Sequence, residues 1–160
     1  MLTNKNKSKN KNKSKETPIK VYFSPKGGCT KAITDQIKAA KKTILVQAYS
    51  FTSTAIVTEL IVARKRGVKV LVILDHKQGK AKVKSLQRAS VDVLSDCDHS
   101  IAHNKVMVLD NQIVVTGSFN FTNAAEFSNA ENVLIIDDST IAKKYASNWR
   151  LHAKHSSIYE

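Results

Sequence analysis

An alternation of short apolar segments with amphipathic ones, running through the first 95 residues, constrains the fold more than any other feature. Residues 68–75, VKVLVILD, are mostly apolar and rich in β-branched side chains, which is typical of a strand covered on both faces. Residues 53–67 carry an apolar stripe at helical spacing and end at Gly67, a natural residue after a helix. Such alternation favours right-handed crossovers and parallel strand pairs. Strands are predicted at residues 19–24, 43–51, 68–75 and 91–95, and helices at 31–42, with Thr30 as a plausible N-cap, 53–67 and 80–90.

The pattern changes in the second part of the chain, where one strand follows another directly. Residues 104–110 and 113–119, joined by a tight Asp-Asn-Gln turn, predict a β-hairpin. Residues 121–129 predict a loop or short helical turn, residues 131–137 a further strand, and residues 139–155 a closing helix with Ser139 as its N-cap. The expected fold class is therefore α/β, with a mixed, largely parallel β-sheet flanked by helices on both faces. No internal repeat is visible in the sequence.

The N-terminal segment differs from the rest of the chain in composition. Between Asn4 and Glu16 it has no apolar residue and alternates Lys with Asn or Ser, so it has nothing to bury. We predict a disordered Lys/Asn-rich tail at residues 1–17 and a single folded domain at residues 18–160. The tail is either an electrostatic arm or a remnant of processing or expression, and the sequence favours neither.

The charge of the chain is strongly positive. The formal net charge is +13, and removing the six lysines of the tail still leaves +7 on the remainder. A basic surface attracts phosphate polymers and anionic lipid surfaces, which favours nucleic acid or a membrane as a partner. A charge that serves only solubility is the alternative.

Several classes of site and location are not supported by the sequence. No segment is long and apolar enough to span a membrane, and no signal-peptide core follows Met1. As written the chain is expected in the cytoplasm; a removed leader would instead imply a periplasmic or secreted protein. Cys29 and Cys97 form no metal-binding pattern and are expected as free thiols or one disulfide. No metal and no cofactor is predicted.

The segment HNKVMVLD, residues 103–110, combines polar residues with an apolar run. Alternate residues of a strand share a face, so His103 and Lys105 are expected to point one way while Val106 and Val108 enter the core. Asp110 lies an odd number of residues from His103. It is therefore expected to support a group at the end of the strand rather than share a ligand with them.

The segment GSFNF, residues 117–121, repeats this arrangement on the next strand. Ser118 and Asn120 are expected on one face, and Gly117 would let the backbone approach a ligand closely. If the hairpin pairs as its short turn implies, Ser118 and Asn120 converge with His103 and Lys105. An imidazole, an ammonium, a hydroxyl and an amide together suit a phosphate group.

Glu131 opens the following predicted strand, in the segment NAEN. Its carboxylate is expected to accept a hydrogen bond from the His103 ring and so fix the tautomer of that ring. An ordinary charge at the end of a strand is the alternative.

These motifs resemble those of a known family. HNKVMVLD fits the H-x-K-x4-D signature of the phospholipase D superfamily, and GSFNF followed by NAEN is similar to the small bacterial Nuc-type endonucleases of that superfamily. The resemblance runs from about Val21 to Trp149, and its specific part is residues 103–132. It implies a phospholipase D-like catalytic domain at residues 18–160.

The resemblance also implies a mechanism without a metal. His103 would attack phosphorus and form a covalent phosphohistidine, while Lys105, Asn120 and Ser118 hold the phosphoryl oxygens. Glu131 would orient His103. A second histidine would protonate the leaving oxygen and then activate water.

That second histidine is not obvious in the sequence. The other four histidines are His76, His99, His152 and His155, and none of them is followed by the Lys and Asp of the H-x-K-x4-D motif. They are expected on the surface or in loops, with His76 near the end of a strand. A symmetric homodimer would instead bring two copies of His103 together.

Three functions remain open from the sequence. The first is a nuclease with little sequence preference, acting on DNA or RNA, which the basic composition favours. The second is a phospholipase D acting on phospholipid head groups. Such an enzyme should expose an apolar entry surface, whereas aromatic residues make up only 6% of the chain and Phe119 and Phe121 are predicted to face inward. The third is a non-catalytic nucleic-acid-binding module.

Overall fold

The computed structural model describes residues 19–77 and 80–160, and the predicted tail at residues 1–17 lies outside them. The described residues form one eight-stranded sheet with helices packed on both faces. The strands are β1 (Ile19–Ser24), β2 (Thr43–Ala48), β3 (Lys69–Asp75), β4 (Asp92–Asp96), β5 (Lys105–Leu109), β6 (Ile113–Gly117), β7 (Glu131–Asp137) and β8 (Ser157–Ile158). The helices are α1 (Cys29–Ala39), α2 (Thr54–Lys65), α3 (Lys80–Arg88), α4 (Asn123–Phe127) and α5 (Ser139–His155).

The strand order is β1-β7-β6-β5-β2-β3-β4-β8. This confirms the mixed α/β sheet, but "largely parallel" is wrong for the described strands, because only the pairs β2–β3 and β3–β4 are parallel. The antiparallel run β5-β6-β7 inserts between β1 and β2. As a result β1 and β2, which point the same way and are linked by α1, are not neighbours.

Each face of the sheet has its own apolar core. Helices α1, α2 and α3 cover one face, with residues such as Ile33, Leu60 and Leu86. Helix α5 covers the other face through Ala142, Ala146 and Trp149, and the Trp149 indole donates a 2.8 Å hydrogen bond to the backbone oxygen of Val46.

The alternation within β5 follows the expected pattern. Val106 and Val108 belong to the core under α5, whereas Met107 and Leu109 belong to the core under α1–α3. Lys105 therefore points toward the α1–α3 side at the start of the strand. Phe119 and Phe121 are both buried in that same core, as predicted.

Two helix starts differ from the sequence expectation. Helix α1 begins after Gly28 rather than at an N-cap Thr30, and the distant carboxylate of Glu126 accepts hydrogen bonds from the backbone nitrogens of Gly28 (3.1 Å) and Thr30 (2.6 Å). Helix α5 is capped by Asp138, one residue before the predicted Ser139. None of the described helices combines the length and apolar character needed to span a bilayer.

The C-terminal segment adds a strand that the sequence did not predict. β8 pairs antiparallel with β4, and the backbone nitrogen of Tyr159 donates to Val93 at 3.0 Å. The Tyr159 side chain is buried in the core under α1–α3. The last described residues thereby pair along β4, from Ser95 back to Val93.

Candidate active site

Most of the sequence-predicted site residues lie at one edge of the sheet. β5 begins where β2 ends, since Lys105 pairs with Ala48. β7 begins where β1 and β6 end, since Glu131 pairs with Ser24 and Gly117 pairs with Val133. This edge, which we call the site edge, carries His103, Lys105, Ser118, Asn120 and Glu131.

His103 lies two residues before β5 and is exposed. Its ring contacts the ring of Tyr49, with centroids 4.6 Å apart and planes inclined by 58°. Among the described residues, no hydrogen bond restrains the imidazole nitrogens. The ring is thus held from one side and keeps both nitrogens available for chemistry.

Lys105 is the buried cation of the site, with only 8% of its surface exposed. Its ammonium donates to the backbone oxygen of His103 at 2.8 Å and lies 5.2 Å from the centroid of the Tyr49 ring. Burial lowers the pKa of Lys105, and the charge of Glu131 opposes that effect. A partly desolvated ammonium interacts with an anion more strongly than a hydrated one does.

Tyr49 is a site residue that sequence reasoning missed. It follows β2 directly, and its ring lies against both His103 and Lys105. Its position in the sequence could have indicated this role. A polar aromatic residue at the carboxyl end of a buried strand lies where ligands commonly bind in α/β folds.

Ser118 is bound to the neighbouring strand. Its hydroxyl oxygen accepts hydrogen bonds from the backbone nitrogen (3.1 Å) and side-chain nitrogen (3.3 Å) of Asn132. Gly117, with φ of 150°, lies so close to β7 that a Cβ would stand 2.2 Å from the backbone oxygen of Asn132. The described contact of Gly117 is therefore with another strand, and the expected close approach to a ligand stays a prediction.

Asn120 is set between two buried aromatic residues, Phe119 and Phe121. Its side-chain oxygen is buried and has no hydrogen-bond partner among the described residues. A buried polar atom without a partner costs about 1–3 kcal/mol. The amide of Asn120 thus has hydrogen-bonding capacity that the described chain does not use.

Glu131 interacts with Lys105 and Asn129 in the single chain. Its carboxylate accepts a 3.3 Å hydrogen bond from the Asn129 side chain, and its charge acts on the ammonium of Lys105. Within the described residues it makes no hydrogen bond to the His103 ring. That contact stays a prediction.

Asp110 lies at the opposite edge of the sheet from His103. Its carboxylate accepts hydrogen bonds from the backbone nitrogens of Lys41 (2.8 Å), Lys42 (2.7 Å) and Thr43 (2.9 Å), where β2 begins. Although burial acts to raise it, these three donors hold the pKa of Asp110 below its usual range. Its described contacts stabilise the start of β2 and involve no site residue.

Three of the other histidines converge on one buried carboxylate, which the sequence did not predict. Asp96 ends β4 and is fully buried, and the rings of His99, His152 and His155 surround it. Although burial acts to raise it, the hydrogen bonds from these rings hold the pKa of Asp96 far below its usual range. The expected surface or loop placement is confirmed for His99 and His155, which are exposed, whereas His152 is half-buried within α5. His76 lies after β3 with its Nδ1 3.9 Å from the carboxylate of Asp75.

Comparison with known proteins gives the family. Residues 33–151 match the family model described as cardiolipin synthase, PLD-like domain. A phospholipase D of Rickettsia conorii is 48% identical over 134 residues, which cover 82% of this chain and 67% of that protein. A mitochondrial cardiolipin hydrolase of Xenopus laevis is 34% identical over 113 residues, which cover 69% of this chain and 54% of that protein.

Solved structures have the same fold. Nuc from Salmonella typhimurium, a phospholipase D family member, superposes with a TM-score of 0.85 at 33% identity, covering 91% of this chain and 99% of that one. NucT from Helicobacter pylori superposes with a TM-score of 0.82 at 21% identity over 90% of this chain and 100% of that one, and that likeness concerns the fold alone. The chain belongs to the phospholipase D superfamily, and it is a phosphodiesterase of that superfamily.

Proposed function

We propose that the protein is an endonuclease that hydrolyses nucleic acid through a covalent phosphohistidine at His103, with no metal ion in the chemical step. The observation that carries the proposal is the convergence of the exposed His103 imidazole and the buried Lys105 ammonium at the site edge. These are a nucleophile and a fixed positive charge, which phosphoryl transfer requires, and the side-chain nitrogen of Asn120 would add a neutral donor.

The chemistry proceeds in two displacements. A His103 nitrogen attacks phosphorus, a P–N bond forms, and the P–O bond to the leaving strand breaks. Lys105 and Asn120, with Ser118, stabilise the negative charge on the non-bridging oxygens. Water then attacks the phosphohistidine, the P–N bond breaks, and the imidazole is restored. An acid must protonate the leaving oxygen and afterwards take a proton from water.

We assign that acid to His103 of a second copy of the chain. The second copy would bind to an exposed apolar strip beside the site. The apolar residues Ile19, Val21 and Phe23 of the edge strand β1 are exposed by 50%, 48% and 65%. They alternate with Tyr22, which packs toward α1–α3, so they lie on the α5 side of the sheet. Helix α5 packs over β2, β4, β5 and β6 and leaves this strip uncovered. The strip adjoins the site edge, because Phe23 pairs with Asn132.

Nucleic acid is favoured as the substrate by the charges around the site. Exposed Lys26, Lys77 and Lys80 follow the strands β1 and β3, which end at the site edge. Without the six lysines of the tail the chain still carries +7. Such a surface binds a phosphate backbone without reading its sequence, and its affinity falls steeply with salt.

The decisive experiment traps the intermediate. Labelled single-stranded DNA, duplex DNA and RNA are each mixed with the protein and quenched rapidly under denaturing, alkaline conditions that preserve phosphohistidine. We expect a labelled protein adduct that is lost in His103→Asn and retained in the control His76→Gln, whose histidine lies outside the site. Full turnover by His103→Asn would refute the assignment.

The shared site is tested by mixing inactive with intact chains. An excess of His103→Asn chains should lower the activity of intact chains below the value that dilution alone gives, because each mixed dimer holds one His103 where the proposed chemistry needs two. Phe23→Glu should make the activity of the otherwise intact protein depend on its concentration. A dilute, demonstrably monomeric protein with full specific activity would contradict the dimer.

A phospholipase D activity is the second candidate. It is favoured by the 48% identity to the Rickettsia conorii protein of that name. Vesicles of phosphatidylcholine and of cardiolipin, assayed beside the nucleic acids, separate the two. Release of head groups without cleavage of nucleic acid would replace the nuclease proposal. Nucleic-acid binding without an adduct on any substrate would favour the non-catalytic module instead.

A further inference from the structure

A second group of polar residues lies away from His103, at the carboxyl end of β4. The carboxylate of Asp96 lies 2.8 Å from Nδ1 of His152, 3.1 Å from Nδ1 of His99 and 3.4 Å from Nε2 of His155. One nitrogen or oxygen atom from each of these four residues lies within 4.8 Å of the other three. We refer to these four residues as the Asp96 cluster.

The chemistry of the Asp96 cluster suits a divalent transition metal. Three imidazoles and one carboxylate are ligands that Zn²⁺ accepts in tetrahedral sites. With metal–ligand bonds of about 2.0–2.1 Å, the ligand atoms of a tetrahedron lie about 3.3–3.4 Å apart. The observed carboxylate–imidazole distances of 2.8, 3.1 and 3.4 Å lie near that spacing, and the four ligand atoms, which spread over up to 4.8 Å, must draw closer to bind a metal.

The electrostatics of the Asp96 cluster also favour a bound divalent cation. The three imidazole centroids lie 4.9 to 5.2 Å from one another. Neutral rings with a divalent cation between them leave each imidazole in its metal-binding form and neutralise the buried carboxylate.

We infer that the Asp96 cluster is a binding site for one Zn²⁺ ion or a similar first-row divalent cation. All four ligands come from the protein, so the site is closed and structural. It joins three segments, namely the end of β4, the loop that carries His99, and the last turn of α5. That loop continues to His103, and the backbone nitrogen of Ala102 within it donates at 2.9 Å to the buried Asp75. The metal therefore fixes one end of the loop that presents His103.

The sequence contains the four candidate metal ligands as two separate pairs. Asp96 and His99 are three residues apart, and His152 and His155 are three residues apart on α5, where that spacing places both on one helical face. Neither half resembles a metal motif alone, and only the packing of α5 against β4 unites them. Cys97, although adjacent in sequence, is not part of the group and lies 3.4 Å from the Ser95 hydroxyl.

The test uses the full chain, stripped with a chelator and then titrated with Zn²⁺ alone. Mass spectrometry of bound metal should find about one Zn²⁺ per chain in the unaltered protein and in His76→Gln, a histidine outside the cluster. His99→Gln and the pair His152→Gln/His155→Gln should bind Zn²⁺ more than about 100-fold more weakly, since even second-shell partners are worth 10–100-fold. Co²⁺ in place of Zn²⁺ should give the visible absorption of a tetrahedral complex.

Thermal unfolding gives a second readout of metal binding. Zn²⁺ should raise the melting temperature of the unaltered protein and of His76→Gln, and should leave that of the exposed-loop variant His99→Gln nearly unchanged. No binding of micromolar Zn²⁺ by the unaltered protein, or equal binding by the cluster variants, would overturn the inference. Adduct formation at His103 is followed in the same stripped protein below its melting temperature, so that failure of the metal site and failure of the proposed chemistry are seen separately.

Discussion

The site edge carries two groups of polar residues whose states are opposite. Around His103 the imidazole is exposed and the buried amide oxygen of Asn120 has no described partner. Around Asp96 the carboxylate is fully buried and three imidazoles surround it. Polar groups without partners are available to act on a ligand, whereas groups that already share hydrogen bonds stabilise the fold. We therefore expect substitutions around His103 to lower activity and substitutions around Asp96 to lower stability.

The largest expected effect is on catalysis by His103→Asn. If His103 is the nucleophile, turnover should fall by about 10⁴-fold or more, as for other nucleophiles. The free energy of unfolding should change by less than about 1 kcal/mol, because the ring is exposed and loses only its contact with Tyr49. Steady-state cleavage and urea unfolding measure the two effects. A large loss of stability would show that His103 has a structural role.

Lys105→Met should lower turnover by about 10²–10³-fold, which is the usual effect of removing one donor to a developing negative charge. Its effect on the free energy of unfolding should be small or stabilising, because Lys105 is only 8% exposed and burying its ammonium costs hydration free energy. Cleavage rates and urea midpoints test this. An unchanged rate would remove Lys105 from the phosphate site.

The alkaline side of the pH profile should report the same residue. Burial lowers the pKa of Lys105, so its charge is lost at a lower pH than the ordinary lysine value of about 10.4. Activity should fall as pH rises through that lowered value, and Lys105→Arg should retain its charge and move the fall to higher pH. The measurement is kcat against pH with a pH-stable substrate. Coincident alkaline limbs in the two proteins would contradict it.

Asp96→Asn should act mainly on stability. Removing one charge from a buried, multiply paired group costs about 3 kcal/mol or more, and Zn²⁺ should no longer raise the melting temperature. Turnover well below the melting temperature should fall far less than in His103→Asn. Denaturant unfolding with Zn²⁺ and with chelator provides the measurement. A loss of activity equal to that of His103→Asn in a folded protein would erase the distinction between the two groups.

Asp110→Ala should have the smallest effect, about 1–2 kcal/mol of stability, by removing the acceptor for three backbone donors at the opposite sheet edge. Because the folded pKa of Asp110 is lowered, its contribution is present above the unfolded value of about 3.9 and is lost as pH falls through the folded value. The stability difference between the two proteins should therefore shrink below about pH 4. A constant difference down to pH 2 would contradict this account.

Much of the local structure was predictable, and the errors have physical causes. The strand parity of Val106 and Val108 follows from local geometry alone. Glu126 caps α1 from 98 residues away, so no local pattern reveals it. The one-residue error between Ser139 and Asp138 reflects two adjacent residue types that both cap helices well.

The order of strands and helices as far as α5, the mixed α/β class and the motifs of the phospholipase D superfamily can be read from the sequence, because they depend on periodicity and spacing over a few residues. The insertion of β5-β6-β7 between β1 and β2, the contact of Tyr49 with His103, and the approach of two α5 histidines to Asp96 emerge only in the folded chain. Those outcomes depend on sheet register and helix docking between segments far apart in the chain. Such contacts form only when the whole apolar core is assembled.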